Sequence, residues 1–291
     1  MMMMIQAQPL PTKLLFFLAA IILLLGKIQV SFALSTSSNS NSDKLVLVTG
    51  GSRGIGRATC LLLAQKGYNV ALNYCQDERA AQSVVEELES TRSSDDSNTG
   101  KIVPFQCDIS KPDQVQEMFQ NIQEHFQQNP TGLVNNAGVM EPMQKDITKI
   151  ENEILWRDYQ TNACGPFYCT KEFVSRASTN YGGSGGSIVC VSSISAESAQ
   201  ILAYGMSKAA LEAMVAGLSK TLPLEGIRIN TIQPGLIDTG LASPEILEVM
   251  SGVIPARRAG EPREVAAAIE YFLSDASGYC SGTKFRIAGG L

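Results

Sequence analysis

Lys44-Leu45-Val46-Leu47-Val48-Thr49-Gly50-Gly51-Ser52-Arg53-Gly54-Ile55-Gly56 is a short apolar run that ends in glycines and opens into a helix. Val and Leu at successive positions suit a strand buried on both faces. Three features of the glycine run matter physically. Glycine permits a tight turn, lets backbone approach an anion closely, and lets the helix begin hard against the strand. The spacing is G-x-x-x-G-x-G, not the G-x-G-x-x-G of the usual dinucleotide fingerprint. Taken alone it is also what an ordinary glycine-rich turn looks like.

Outward from that stretch, apolar strands alternate with amphipathic helices. A helix is expected over 54–66, a strand over 69–74, a helix over 78–89 and a polar loop over 90–100. A strand at 101–106, a helix near 113–127 and a strand ending at Asn135 follow. The strand 187–192, a helix near 204–220 and the strand 227–232 continue the pattern. Alternation at this spacing predicts a parallel sheet with helices on both faces. Right-handed crossovers make it an α/β doubly wound sheet of Rossmann type, with ligands at the carboxyl ends of the strands. Neither an internal repeat nor a domain linker is visible, so one domain is expected over 43–291.

Composition narrows the function. The 291 residues are 44% hydrophobic and 18% charged, with a net charge of -5. Without a basic footprint, nucleic acid is excluded as a partner. The seven cysteines, at 60, 75, 107, 164, 169, 190 and 280, are odd in number and show no C-x-x-C spacing. Cys60, Cys107 and Cys190 sit in apolar runs and read as buried free thiols. The single histidine, His125, lies in a polar helical stretch and reads as a surface residue. It can build neither a metal site nor a Ser-His-Asp triad, and no metal is expected.

Residues 1–42 read as a targeting leader. Lys13 and Lys27 bracket the apolar run 14–26, shorter than the roughly 20 residues of a membrane span but suited to a signal-peptide core. Ser31-Phe32-Ala33 offers small residues for cleavage, and 31–42 is Ser-rich and acid-poor. Signal peptide followed by transit-like sequence resembles the bipartite leader of algae with secondary plastids. A plastid is the first expectation; another secretory-route compartment or a membrane anchor is the alternative.

Two further features concern chemistry. At the end of the second strand, where NAD-preferring folds place a carboxylate, stand Tyr74 and Cys75, with Asp77 further on. Arg53, in the glycine loop, is a candidate partner for a 2′-phosphate, so NADP(H) is favoured over NAD(H). Tyr204 and Lys208 are spaced i, i+4 and share one helix face. A nearby ammonium and the positive ring of an oxidised nicotinamide would favour the phenolate, bringing the tyrosine from about 10 towards neutrality.

The glycine loop, Asn135-Asn136-Ala137-Gly138, Asn162, Ser192-Ser193, Tyr204-x-x-x-Lys208 and Pro234-Gly235 follow one another in a fixed order. In this the chain resembles the short-chain dehydrogenase/reductase family, in its single-domain branch, from Lys44 to Leu291. The closing stretches 254–262 and 281–290 share the resemblance. It implies that Ser193 hydrogen-bonds the substrate oxygen, Tyr204 exchanges its proton, Lys208 binds the nicotinamide ribose, and Asn162 holds a relay water. Gly50, Ser52, Arg53, Gly54, Ile55 and Gly56 would cradle the cofactor. Asp108 and Ile109 would meet its adenine, Asn136, Ala137 and Gly138 would line the groove, and Pro234, Gly235, Ile237 and Thr239 would meet the carboxamide.

Two departures stand out. The interval from Ser193 to Tyr204 is shorter than usual, which leaves Ser192 as a rival for the catalytic hydroxyl. Ala288 stands where many members carry aspartate. The substrate reading favours a small carbonyl compound over a 3-oxoacyl-acyl-carrier-protein, because 182–186 and 224–226 lack the basic residues that would dock an acidic carrier protein. Arg257-Arg258 could replace them. A non-catalytic cofactor-binding scaffold is the alternative of another class, and a homo-oligomer, a tetramer, is implied by the resemblance.

Overall fold

In β1 (Leu45–Val48), Leu45 and Leu47 pack into one apolar cluster and Val46 and Val48 into another, so the strand needs cover on both faces. The computed structural model, which describes residues 41–92, 98–140, 146–198, 201–240 and 244–291, supplies that cover with helices. The chain continues through α1 (Gly54–Gln65), β2 (Asn69–Tyr74), α2 (Glu78–Thr91), β3 (Ile102–Gln106), α3 (Pro112–Phe126) and β4 (Gly132–Asn135). Then come α4 (Asn152–Tyr159), a π turn (Gln160–Cys164), α5 (Gly165–Ala177), β5 (Gly186–Val191), the short α6 (Ser195–Ser198) and α7 (Leu202–Leu218). β6 (Ile227–Pro234), α8 (Pro244–Ser251), α9 (Pro262–Leu273) and β7 (Lys284–Ile287) complete it.

The strands are all parallel, in the order β3-β2-β1-β4-β5-β6-β7. On one face α1, α2 and α9 bury Leu63, Val84 and Ile269; on the other α3, α5 and α7 bury Phe119, Phe173 and Leu211. The same split recurs in β5, where Val189 and Val191 serve the first cluster and Ile188 and Cys190 the second. This is the doubly wound sheet that the alternation implied. The order reverses between β1 and β4, so the loops leaving their carboxyl ends diverge and open a crevice.

Element ends differ from the sequence reading in instructive places. α7 begins two residues early, at Leu202, because the extended residue before it is Ile201 and nothing in Leu202-Ala203 opposes helix. α2 runs on through Thr91, whose hydroxyl donates back to the Glu87 carbonyl at 3.1 Å. β6 reaches Pro234 because its pairing with β7 continues to Ile287. Cys60, Cys107 and Cys190 are buried free thiols, and burial pushes Cys107 and Cys190 up to about 12. His125 is exposed, edge-on to Phe105 and Phe126. The proposed leader falls outside the described residues up to 40, and residues 39–291 group as one compact unit.

Candidate active site

The crevice at the carboxyl ends of β1 and β4 is closed by main-chain contacts that only glycine allows. Gly50 and Gly54 have φ of +63° and +52°, the left-handed region that glycine occupies without strain. A Cβ on Gly56 would lie 2.2 Å from the Gly50 carbonyl oxygen and 2.5 Å from Asn136 Nδ2. Asn136 fastens the loop by donating from Nδ2 to the carbonyls of Thr49 (2.9 Å) and Gly50 (3.1 Å). The Thr49 hydroxyl in turn accepts from the amides of Asn136 and Ala137 at 2.9 and 3.0 Å. Gly54 lies against Thr239, so the segment after β6 reaches the glycine loop. Ser52 and Ile55 are half-buried at the loop. The result is a cradle at the N-terminus of α1, where unpaired amides and the helix dipole favour an anion.

Around the cradle the other expected positions are less uniform. Asp108 is half-buried, its Oδ1 accepting from the amide and hydroxyl of Ser110 at 3.0 and 2.7 Å, and Ile109 is buried against Gly165. Pro234 accepts from the Ile194 amide at 3.1 Å, Gly235 donates to the Ile287 carbonyl at 2.8 Å, and Ile237 packs on the core. Gly235 lies against Ala288, where a Cβ would come within 2.9 Å of its Cα. That crowding accounts for glycine at 235.

Arg53 brings a correction. It is not facing an acid-free surface: its guanidinium is ion-paired with Asp77. Asp77 caps α2 by accepting from the Ala80 amide at 2.9 Å. That bond holds its carboxyl below the usual range, with Arg53 helping against the opposing effect of burial. A 2′-phosphate at Arg53 has a carboxylate as competitor.

The catalytic candidates meet where β5, α7 and the π turn converge. Tyr204 and Lys208 share one face of α7, with Lys208 Nζ 5.7 Å from the phenol ring centroid. Lys208 is 3% exposed and donates to the Val191 carbonyl at 2.8 Å. Burial brings its ammonium down to about 8, although Cys190, Asp158 and Glu212 oppose the shift. Tyr204 moves the other way from the sequence expectation. Burial pushes its phenol up, the hydrogen-bonded Ser193 hydroxyl works against this, and Asp158 adds to it. The ammonium does not offset the burial in the cofactor-free protein.

The structure separates the two serines. Ser192 donates to Glu212 Oε1 at 2.7 Å and is drawn away. The Ser193 hydroxyl is the one beside Tyr204, and it also accepts from the Ser195 amide at 3.1 Å. Asn162 is buried in the π turn. Its Oδ1 accepts from the Val139 amide (2.8 Å), and Nδ2 donates to the Val139 carbonyl (2.9 Å) and the Ser207 hydroxyl (3.0 Å). Its side chain thereby clamps the segment after β4 onto α7. Gly138 lies in that clamp, where a Cβ would be 3.1 Å from Asn162 Oδ1 and 3.3 Å from Lys208 Nζ.

Two residues were missed from sequence. Glu212, one turn beyond Lys208, is 5% exposed and accepts from Ser192, Gln233 and Lys284. Asp158, on α4, is 1% exposed, and neither of its carboxylate oxygens has a hydrogen-bond partner among the described residues. Burial raises its pKa, with Arg157 and Lys208 pulling the other way.

Residues 50–291 match a family model described as enoyl-(acyl carrier protein) reductase. An uncharacterized oxidoreductase of Escherichia coli is 40% identical over 253 residues, which is 84% of this chain and 99% of that one. A chloroplastic NADPH-dependent aldehyde reductase-like protein of Arabidopsis thaliana is 31% identical over 86% of this chain and 94% of its own. Among solved structures, a mutant short-chain dehydrogenase/reductase of Serratia marcescens matches with a TM-score of 0.74 at 27% identity, over 85% of this chain and 97% of that one.

Proposed function

The chain belongs to the short-chain dehydrogenase/reductase family, and we propose that it is an NADPH-dependent reductase of small aldehydes and ketones. The observation that carries this reading is the placing of Ser193, Tyr204 and Lys208 together, with Lys208 beside Gly138, at the carboxyl end of the sheet that also bears the glycine cradle. A bound nicotinamide supplies the hydride. The chain's own residues hold and protonate. The amides at the start of α1 receive the pyrophosphate, and the segment 234–239 with Gly138 lines the rest of the groove. Ser193 donates to the substrate carbonyl oxygen, and Tyr204 gives that oxygen its proton. A phenol held above its ordinary value stays protonated at neutral pH, which suits donation to a carbonyl rather than abstraction from an alcohol. Lys208, charged below about 8, supports the oxyanion side and the cofactor ribose. Since Asn162's side chain is engaged, any proton return past it falls to the backbone of the π turn.

Arg53 at the glycine loop and the similarity to an NADPH-dependent relative from Arabidopsis support NADPH. The small-carbonyl reading is favoured over an acyl-carrier substrate by a specific observation. Arg258, a candidate for the missing basic patch, is held bidentately by Glu264 at 2.7 and 2.6 Å. Plastid residence is proposed from the leader's composition and the chloroplastic relative. A homo-oligomer is proposed from the exposed Trp156 and Phe167 on α4 and α5.

The test follows NADPH absorbance with the purified protein, a panel of small aldehydes and ketones, and an acetoacetyl thioester. Turnover of the small carbonyls is expected, lowered about 10²- to 10⁴-fold by Tyr204→Phe with NADPH binding retained. Turnover of the thioester alone moves the protein to acyl-carrier chemistry. Cofactor binding with no turnover leaves a scaffold.

A further inference from the structure

Ser192 and Ser193 are neighbours at the end of β5, and only one of them can face Tyr204. The backbone here is held from β6: the Ser192 amide donates to the Ile232 carbonyl at 2.8 Å and the Ile194 amide to the Pro234 carbonyl at 3.1 Å. In extended chain successive side chains leave on opposite sides, so anchoring Ser192 fixes where Ser193 points. The anchor is Glu212. Its Oε1 accepts from Ser192 Oγ at 2.7 Å and from Gln233 Nε2 at 2.8 Å, and its Oε2 pairs with Lys284 Nζ at 2.7 Å. Gln233 Nε2 also donates to Glu197 Oε1 at 3.0 Å, and Glu197 is ion-paired with Arg286. Glu197 lies on α6, immediately after the serine segment. The network therefore grips that segment at both ends and ties it to α7, β6 and β7.

A buried carboxylate is tolerated only when its lone pairs are filled. Glu212 and Gln233 are 5% and 2% exposed, and the donors to Glu212 come from β6, β7 and the residue that follows β5. Glu212 also sits one turn beyond Lys208 on the same helix face, so it references the serine segment to the helix that carries Tyr204 and Lys208. We propose that Glu212 is a positioning residue for the reduction: by holding Ser192 on its carboxylate, it selects Ser193 as the hydroxyl that faces Tyr204. This rests on the reductase reading above.

The test uses the full chain with Glu212→Gln, which keeps the shape but sets an amide NH2 against the Lys284 ammonium. The double variant Glu212→Gln with Lys284→Glu restores a donor–acceptor pair there. The expected result for the single variant is a fall in kcat of about ten- to a hundredfold, the scale of a misplaced reacting group. NADPH affinity by fluorescence and the substrate KM should stay within about twofold, amide exchange over 192–195 should quicken, and the double variant should recover most of the kcat. A kcat close to wild type despite a lower Tm overturns the proposal, as does a loss that the double variant leaves unrepaired. If the glutamine variant does not fold, Ser192→Ala reads the same anchor and should lower kcat in the same direction by less; an unchanged kcat there overturns it. If the wild type reduces no carbonyl, the reductase reading fails. Amide exchange over 192–195 then decides the positioning alone, quickened supporting it and unchanged overturning it.

Discussion

At the end of the crevice proposed to hold the cofactor the groups presented are largely main-chain atoms, whereas at the end formed by β5 and α7 they are buried side chains. The cradle depends on what its residues lack: Gly50, Gly54 and Gly56 leave no Cβ between the loop, Asn136 and Thr239. The catalytic end depends on groups that burial disfavours. Lys208 is nearly inaccessible, Tyr204 has its phenol raised by desolvation, and Asp158 is a carboxyl without partners among the described residues. The first end should therefore fail by steric exclusion when altered. The second should lose chemistry while becoming more stable, the expected relation where a site holds polar groups in low dielectric.

The largest effect should come from Gly56→Ala. Its methyl would stand 2.2 Å from the Gly50 oxygen, a main-chain atom that cannot swing aside. The loop must move, with a stability loss of about 1–3 kcal/mol and NADPH affinity reduced at least tenfold. Calorimetry and NADPH fluorescence titration check this. A variant that binds NADPH as the wild type does would show that the cradle is looser than its contacts, and the contrast between the two ends would not hold.

Arg53 is the expected cofactor residue at this end that carries a positively charged side chain, and Asp77 shares it. Arg53→Ala should weaken NADPH binding by about ten- to a hundredfold and leave NADH nearly unchanged, as loss of a charged hydrogen bond does. Asp77→Asn keeps a side chain able to cap α2 but removes the competing charge. It should strengthen NADPH binding by about two- to fivefold, the worth of an exposed pair. Equal effects on both cofactors in either variant would remove Arg53 from the 2′-phosphate.

The two ends also differed in how far they could be read from sequence. The glycine loop was legible because its spacing is itself the steric constraint, and Tyr204 with Lys208 because i, i+4 fixes a shared face. The sheet was legible because Leu45-Val46-Leu47-Val48 has no polar side to leave in water. Arg53 with Asp77 was not legible: two exposed side chains 24 positions apart meet between the loops that follow β1 and β2, which no local pattern encodes. Asn162 was singled out, but its contacts were not legible, since only the fold brings Val139 and Ser207 to its amide. Glu212 did leave a signal. It is the one charge in Ala209-Ala210-Leu211-Glu212-Ala213-Met214-Val215 and shares a face with Lys208, which marks a buried acid with a partner. Asp158 left none, because Trp156-Arg157-Asp158-Tyr159 reads as an ordinary solvated turn of helix.

That hidden acid gives the smallest prediction and the sharpest probe of the catalytic end. Burial raises the pKa of Asp158, so the folded protein binds its proton more tightly than the unfolded chain does. Its contribution to stability is then full below the unfolded value near 3.9 and is lost as pH climbs through the raised folded value. The ionised carboxyl is a burden that lightens as the pH falls. Asp158→Asn, of the same shape without the charge, should raise Tm at pH 8 by roughly 2–4 °C, the shift that about 1 kcal/mol produces in a domain of this size. The gain should shrink towards pH 4, measured by calorimetry on the cofactor-free protein. A lower Tm at pH 8 would show instead that Asp158 serves as the counterion of Lys208. The catalytic end would then be electrostatically balanced rather than strained, and its contrast with the glycine cradle would be one of materials alone.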